Sequence, residues 1–198
     1  MTITEYLDGT RHAASTLINA FTFEWKAHND AAVVYNQTID EFDALGAIPP
    51  LDPDHFAEHA RFAEAFQKSR EKYVQMRMVQ EDRFEKIQST AILCGALLQL
   101  AKQGLASVHG SKANIPIGRV IGGTNLRNVI WEGRNQTMHF EEFPGKPYNP
   151  SVTACFQALE AGYGAKFALG AKNLSVEIID LLDWRTLQKY ENDMSSLA

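Results

Sequence analysis

Nowhere does this chain alternate apolar and polar residues long enough to give a half-buried strand between turn residues. Apolar side chains recur instead at helical intervals, and proline and glycine punctuate them. The fold class this predicts is all-α, an antiparallel helical bundle of about five to seven helices. A first helical stretch runs from about Thr10 to Leu45, with Leu17, Phe21, Trp25, Val33, Ile39 and Phe42 in register. Gly46 to Pro53 breaks it, because the Pro49-Pro50 pair cannot continue a helix. Asp52 or Asp54 can cap a second helix carrying Phe56, Ala60, Ala63, Phe66, Tyr73, Val74 and Met78. A third, Leu- and Ala-rich, runs from Asp82 to about Ser107. No proline or glycine lies between Glu71 and Glu85, so the two are either joined or kinked.

Gly104 to Gly123 reads as a loop, after which Thr124 can cap a helix reaching about Glu142. Phe143 to Pro150 ends that helix, Ser151 can cap the next, and Leu174 to Tyr190 forms the last, with Val176, Ile179, Leu182 and Leu187 inward. With 198 residues the expectation is one domain, 1–198, with the long helices at about 54–108 as a candidate extension. A formal net charge of −5 argues against wrapping duplex nucleic acid over the whole surface, which requires broad phosphate neutralisation. Cys94 and Cys155 are far apart in apolar settings, which disfavours a disulfide framework or a cysteine-based zinc site. No basic region followed by an apolar run opens the chain, and the apolar run Ala91 to Ala101 is about half a bilayer span. The expected address is cytoplasmic, with no membrane partner.

On a wheel of about 100° per residue, Leu126, Val129, Ile130, Gly133 and Phe140 share a core-facing arc. Arg127, Asn128, Trp131, Arg134, Asn135, Met138, His139 and Glu142 share another, which can line a groove. An unperturbed imidazole titrates near pH 6.5, so His139 can accept a proton from a hydroxyl. Arg134 offers a permanent charge and a planar fork suited to phosphate oxygens. Asn135, one turn before His139, can fix the imidazole tautomer or bind a substrate oxygen. Together they suit metal-free RNA cleavage, in which a base deprotonates the ribose 2′-OH, a cation stabilises the phosphorane, and a 2′,3′-cyclic phosphate is left. One copy supplies one such histidine, and a two-fold partner could supply the general acid. Arg127, Asn128 and Trp131, on the same face, are the expected RNA contacts. The chemistry needs no metal and no cofactor.

The segment Arg134-Asn135-x-x-x-His139 resembles the Arg-x4–6-His signature of the HEPN superfamily (higher eukaryotes and prokaryotes nucleotide-binding domain), including its polar residue after arginine. The resemblance implies an α-helical bundle with this motif near the end of a long helix. It implies a homodimeric, metal-independent endoribonuclease of toxin–antitoxin, phage-defence or RNA-processing type, with RNA as substrate and a cognate antitoxin protein as a candidate partner. Arg134 and His139 would then be catalytic, with Asn135 in support. Other members are non-catalytic RNA-binding or scaffold forms, and that is the alternative here.

Three other patterns have a simpler structural reading. His55-Phe56-Ala57-Glu58-His59 formally matches the inverted zinc-peptidase motif, with Glu132, Glu141 or Glu142 as a third ligand. Such peptidases carry mixed sheets, and exposed histidines in a first helical turn are the simpler reading. Lys68, Arg70, Lys72, Arg77 and Arg83 interleave with Glu64, Glu71, Glu81 and Asp82, the pattern of an ion-paired solvated face. Gly118 to Gly123 precedes a helix but lacks the P-loop lysine, and reads as a flexible connection.

Overall fold

The computed structural model describes the backbone of residues 1–44 and 56–198, and the side chains in that span except those of residues 41–44, 56–62 and 65. Among the described residues six α-helices and one short hairpin are present, and the protein is an all-α helical bundle. Helix α1 spans Ile3–Ala44 and α2 spans Phe56–His109. The expected break at Gly46–Pro53 and the caps Asp52 and Asp54 lie outside the described residues.

Helix α1 starts earlier than its apolar spacing suggests because Thr2 and Glu5 cap it reciprocally. The Thr2 hydroxyl accepts from the Glu5 N–H (3.2 Å), and the Glu5 carboxylate accepts from the Thr2 N–H (2.7 Å). The second and third expected helices are one continuous α2, consistent with the absence of a breaker between Glu71 and Glu85.

The glycine-rich segment departs from expectation. Strand β1 (Val120–Ile121) pairs antiparallel with β2 (Thr124–Asn125), Ile121 opposite Thr124, across Gly122 and Gly123. Gly122 sits at φ 59°, where a side chain is strained, so the segment is a tight hairpin rather than a flexible link. Thr124 belongs to β2 and does not cap the next helix. Asn125 does so, its side-chain oxygen accepting from the Asn128 N–H at 3.1 Å. Helix α3 covers Leu126–His139 and tightens to a 3₁₀ turn over Phe140–Glu142, so it stops short of the expected Glu142. Helix α4, Pro150–Tyr163, is capped by Asn149 rather than Ser151, with Pro150 opening the first turn.

The expected last helix is two. Helix α5 is Ser175–Leu182 and α6 is Leu187–Ser195. Asp183 takes a left-handed conformation (φ 57°), its N–H bonding the Asp180 carbonyl and the Trp184 N–H bonding that of Ile179. This closes α5 as a Schellman motif and turns Trp184 into the core.

Packing divides the chain into two compact units, Met1–Phe23 with Ser89–Ala198, and Glu24–Gln88. The first holds the core, in which Leu97, Leu98, Leu105, Leu126, Ile130, Phe156, Leu159, Trp184 and Tyr190 are fully enclosed. Part of α2 is long and apolar enough to cross a bilayer by composition, but Cys94, Leu97, Leu98, Ala101 and Leu105 in it are buried in this core. Gly133 lets α3 approach α5 closely, since a Cβ there would lie 2.8 Å from the Ile178 Cδ1.

In the second unit Arg83 anchors the pairing of helices, its carbonyl 3.3 Å from the His28 Nδ1 and its guanidinium over the Tyr35 ring. Val33, Phe66, Tyr73, Val74 and Met78, in helical register by sequence, are exposed there. The interleaved charges do pair along the helix, as in Lys68–Glu64 (2.7 Å) and Arg77–Glu81 (3.7 Å).

Candidate functional site

The wheel places the α3 core residues correctly: Leu126, Val129, Ile130 and Gly133 are buried. It places the polar face correctly too, since Arg127, Asn128, Trp131, Arg134 and Asn135 are half-buried and Met138 and His139 exposed. What it leaves out is the sector opposite Arg134. Glu132 and Gln136 lie there and are 1% and 0% exposed, so α3 is enclosed on more than its apolar side. Gln136 clamps the chain before α5, donating to the Lys172 carbonyl (2.6 Å) and accepting from the Leu174 N–H (3.0 Å).

His139 ends α3 and is held by the turn that follows. Its Nδ1 lies 2.7 Å from the Glu142 Oε1, and Lys146 bonds the other Glu142 oxygen at 2.7 Å. The Lys146 hydrogen bond, and then that of His139, keeps the Glu142 carboxyl below its usual range. An ionised carboxylate only accepts, so Nδ1 carries a proton, and in the neutral ring Nε2 keeps its lone pair. Among the described residues Nε2 has no hydrogen-bond partner. Of the two roles expected of Asn135, bonding the ring is taken by Glu142 instead.

Asn135 instead organises a polar network between α2 and α3. Its Nδ2 donates to the Glu132 Oε2 at 3.0 Å, and its Oδ1 accepts from the Lys102 Nζ at 3.0 Å and, at the limit of hydrogen bonding, from Arg134 Nη1 at 3.5 Å. Arg134 Nε bonds the Gln99 side chain, and Lys112 bonds the Glu132 Oε1. Lys102 lies 4.7 Å from the centre of the Trp131 ring. One face of this expected RNA contact therefore already carries a cation. Arg127 is turned to the Ile115 carbonyl (2.8 Å), and the Asn128 Nδ2 donates to the Thr124 hydroxyl at 3.4 Å. Both serve the local fold in this arrangement.

A cavity of about 260 Å³ opens beside these groups, lined by Asn135, His139, Glu142, Lys146, Pro147, Tyr148, Asn149 and Val152. It is smaller than the roughly 300–1,000 Å³ of pockets that enclose a whole small ligand, so it suits part of one. Asn135 links it to Arg134, which does not line it. The site thus offers an imidazole with a bare nitrogen, a neighbouring pair of cations and a partly enclosed space. No sequence signal marked Lys102 or Gln99, because they reach Asn135 and Arg134 from a separate helix, and Glu132 stood out only as a nominal zinc ligand.

Burial lifts the Cys94 thiol to about 12 and the Cys155 thiol to about 11, and both are unpaired, so neither is a thiolate at neutral pH. His55 and the side chains of Glu58 and His59 lie outside the described residues. Among the described residues no three His, Cys, Asp or Glu side chains are gathered as a metal set.

Glu132 ties the network together. Glu132→Ala removes the acceptor of both Lys112 and Asn135 and is expected to cost about 2 kcal/mol, below the usual loss for a split buried pair because Lys112 still reaches water. Urea denaturation measures it. A change within about 0.5 kcal/mol, the range of ordinary surface substitutions, would show that the network carries no stability.

Compared with known proteins, the chain matches no protein-family model, no curated protein and no solved structure.

Proposed function

We propose that the protein is a HEPN-like, metal-independent endoribonuclease acting as a homodimer. The observation that carries this reading is the His139 imidazole, with its Nδ1 held by Glu142 and its Nε2 bare, beside a cavity that Asn135 connects to Arg134. In the proposed reaction His139 Nε2 takes the proton of a ribose 2′-OH. The resulting oxyanion attacks the adjacent phosphorus, and Arg134 donates to the non-bridging oxygens as charge builds on them. The bond to the 5′-oxygen breaks, and His139 of the partner subunit protonates the leaving oxygen. The products are a 2′,3′-cyclic phosphate and a 5′-hydroxyl.

A second reading, a non-catalytic module that binds RNA or a protein partner through the same face, draws on Gln99. Its side chain already occupies the Arg134 Nε, as in a structural contact. The two readings separate in an assay of end-labelled single-stranded RNA with EDTA present. The nuclease reading expects cleavage that EDTA does not suppress, products ending in cyclic phosphate, and an intact strand wherever the ribose is 2′-deoxy. RNA left whole across several sequences, or products with a free 3′-hydroxyl, would remove it.

A further inference from the structure

We propose that Lys102 and Arg134 together form a phosphate-binding site, with Lys102 a cationic contact that the Arg-x4-His motif does not contain. The proposal rests on the nuclease reading only for the source of the phosphate.

The argument begins with charge. Lys112 and Glu132 are a bonded pair and neutralise each other. Lys102 and Arg134 have no such partner: among the described residues neither is within ion-pair distance of a carboxylate. Their acceptors are neutral amides, Gln99 for Arg134 and a single oxygen of Asn135 for both. Two cations converging on one neutral oxygen, in a chain of formal net charge −5, make a local positive site that lacks its anion.

Glu132 enforces this arrangement. Both of its oxygens are engaged, one by Lys112 and the other by the Asn135 NH₂. Because the NH₂ must face Glu132, the amide oxygen must face the two cations. Asn135 therefore cannot flip to relieve them. The ammonium of Lys102 is held below its ordinary range, first by burial and then by the Arg134 charge, with Glu132 opposing. A bound anion would oppose the Arg134 repulsion and favour the charged ammonium.

The geometry favours phosphate. Arg134 is a planar fork and Lys102 a point charge, the combination that grips one tetrahedral anion from two sides. Lys102, Trp131, Arg134 and Asn135 are all half-buried, so the site is both reachable and partly shielded from water.

The test compares wild type with Lys102→Met, which keeps a long unbranched side chain but removes the charge, and Lys102→Arg, which keeps the charge. Circular dichroism confirms that each is folded. In the first arm, thermal melting is followed in inorganic phosphate against chloride of equal ionic strength. Wild type and Lys102→Arg are expected to gain clearly more stability with phosphate than Lys102→Met, which keeps only the general gain that an excluded anion gives. In the second arm, fluorescence anisotropy follows binding of a 2′-O-methyl single-stranded RNA between 50 and 200 mM salt, concentrations over which phosphate contacts lose most affinity. Losing one phosphate contact should reduce the slope of log K against log salt by about 0.7 in Lys102→Met.

The first arm decides the site. A wild type indifferent to phosphate, or a Lys102→Met variant that responds as wild type does, overturns it. The second arm decides the source. If Lys102-dependent phosphate binding is found but no form binds RNA, the anion site stands, free phosphate groups are its ligands, and the nuclease reading falls.

Discussion

His139→Ala should lower the single-turnover rate of RNA cleavage by about 10²–10⁴-fold, the range lost when a positioned general base is removed. The histidine is exposed at the end of α3 and bonds only Glu142, so the variant should melt within a degree or two of wild type. The loss would therefore be chemical rather than structural. Arg134→Ala should cost about 10²–10³-fold, as expected for a cation aimed at charge that develops in the transition state. Arg134→Lys should rescue little, since an ammonium cannot reproduce the fork that spans Gln99 and Asn135. The double variant should be hardly slower than the worse single one, because the two groups act in one step. A His139→Ala protein that cleaves at the wild-type rate would end the nuclease reading.

Trp184→Ala should have the largest effect on stability, about 3–5 kcal/mol. The indole is fully buried, meets the Tyr190 ring edge-on at 5.0 Å, and donates Nε1–H to the Asp193 Oδ2 at 2.9 Å. The same carboxylate accepts from Arg119 through two nitrogens, each at 2.9 Å, which holds the guanidinium above its usual range. Removing the ring leaves a cavity beside Tyr190 and loosens Asp193. In a chain of this size the melting point should fall by about 10 °C. Trp184→Phe keeps most of the volume and should lose about a third of that, chiefly the hydrogen bond. A fall of under about 2 °C for Trp184→Ala would mean that the α5–α6 corner is not packed as described.

The two predictions fall on opposite sides of what the sequence discloses. His139 and Arg134 stand out because a heptad of alternating chemistry on a single helix can be laid on a wheel without knowing the fold. Trp184 does not. The run from Leu174 to Tyr190 has helical spacing throughout, and only the left-handed Asp183 turns it into two helices. Aspartate is an ordinary helix-surface residue by composition. The turn there delivers Trp184, fully buried, into the core. Capping shows the same limit at short range. Thr124 and Ser151 are acceptable caps by residue type, but Asn125 and Asn149 take the role because Thr124 is paired in the hairpin and Pro150 already opens α4.

The sequence by itself determined the all-α class, the long helices, the hydrophobic arc of α3 and the shared face of Arg134, Asn135 and His139. These depend on backbone periodicity and on which residues can continue a helix, both of which are local properties of the chain. Tertiary structure alone decided the contacts that give that face its chemistry. Glu142 rather than Asn135 orients His139, because a 3₁₀ turn brings it back over the helix end. Lys102 and Gln99 come from α2, far from α3 in sequence, and buried Glu132 sets the orientation of the amide between them. Hydrogen bonds and Coulomb interactions act over a few ångströms of space and take no account of separation along the chain, so the charge balance of the site exists only once the helices have packed.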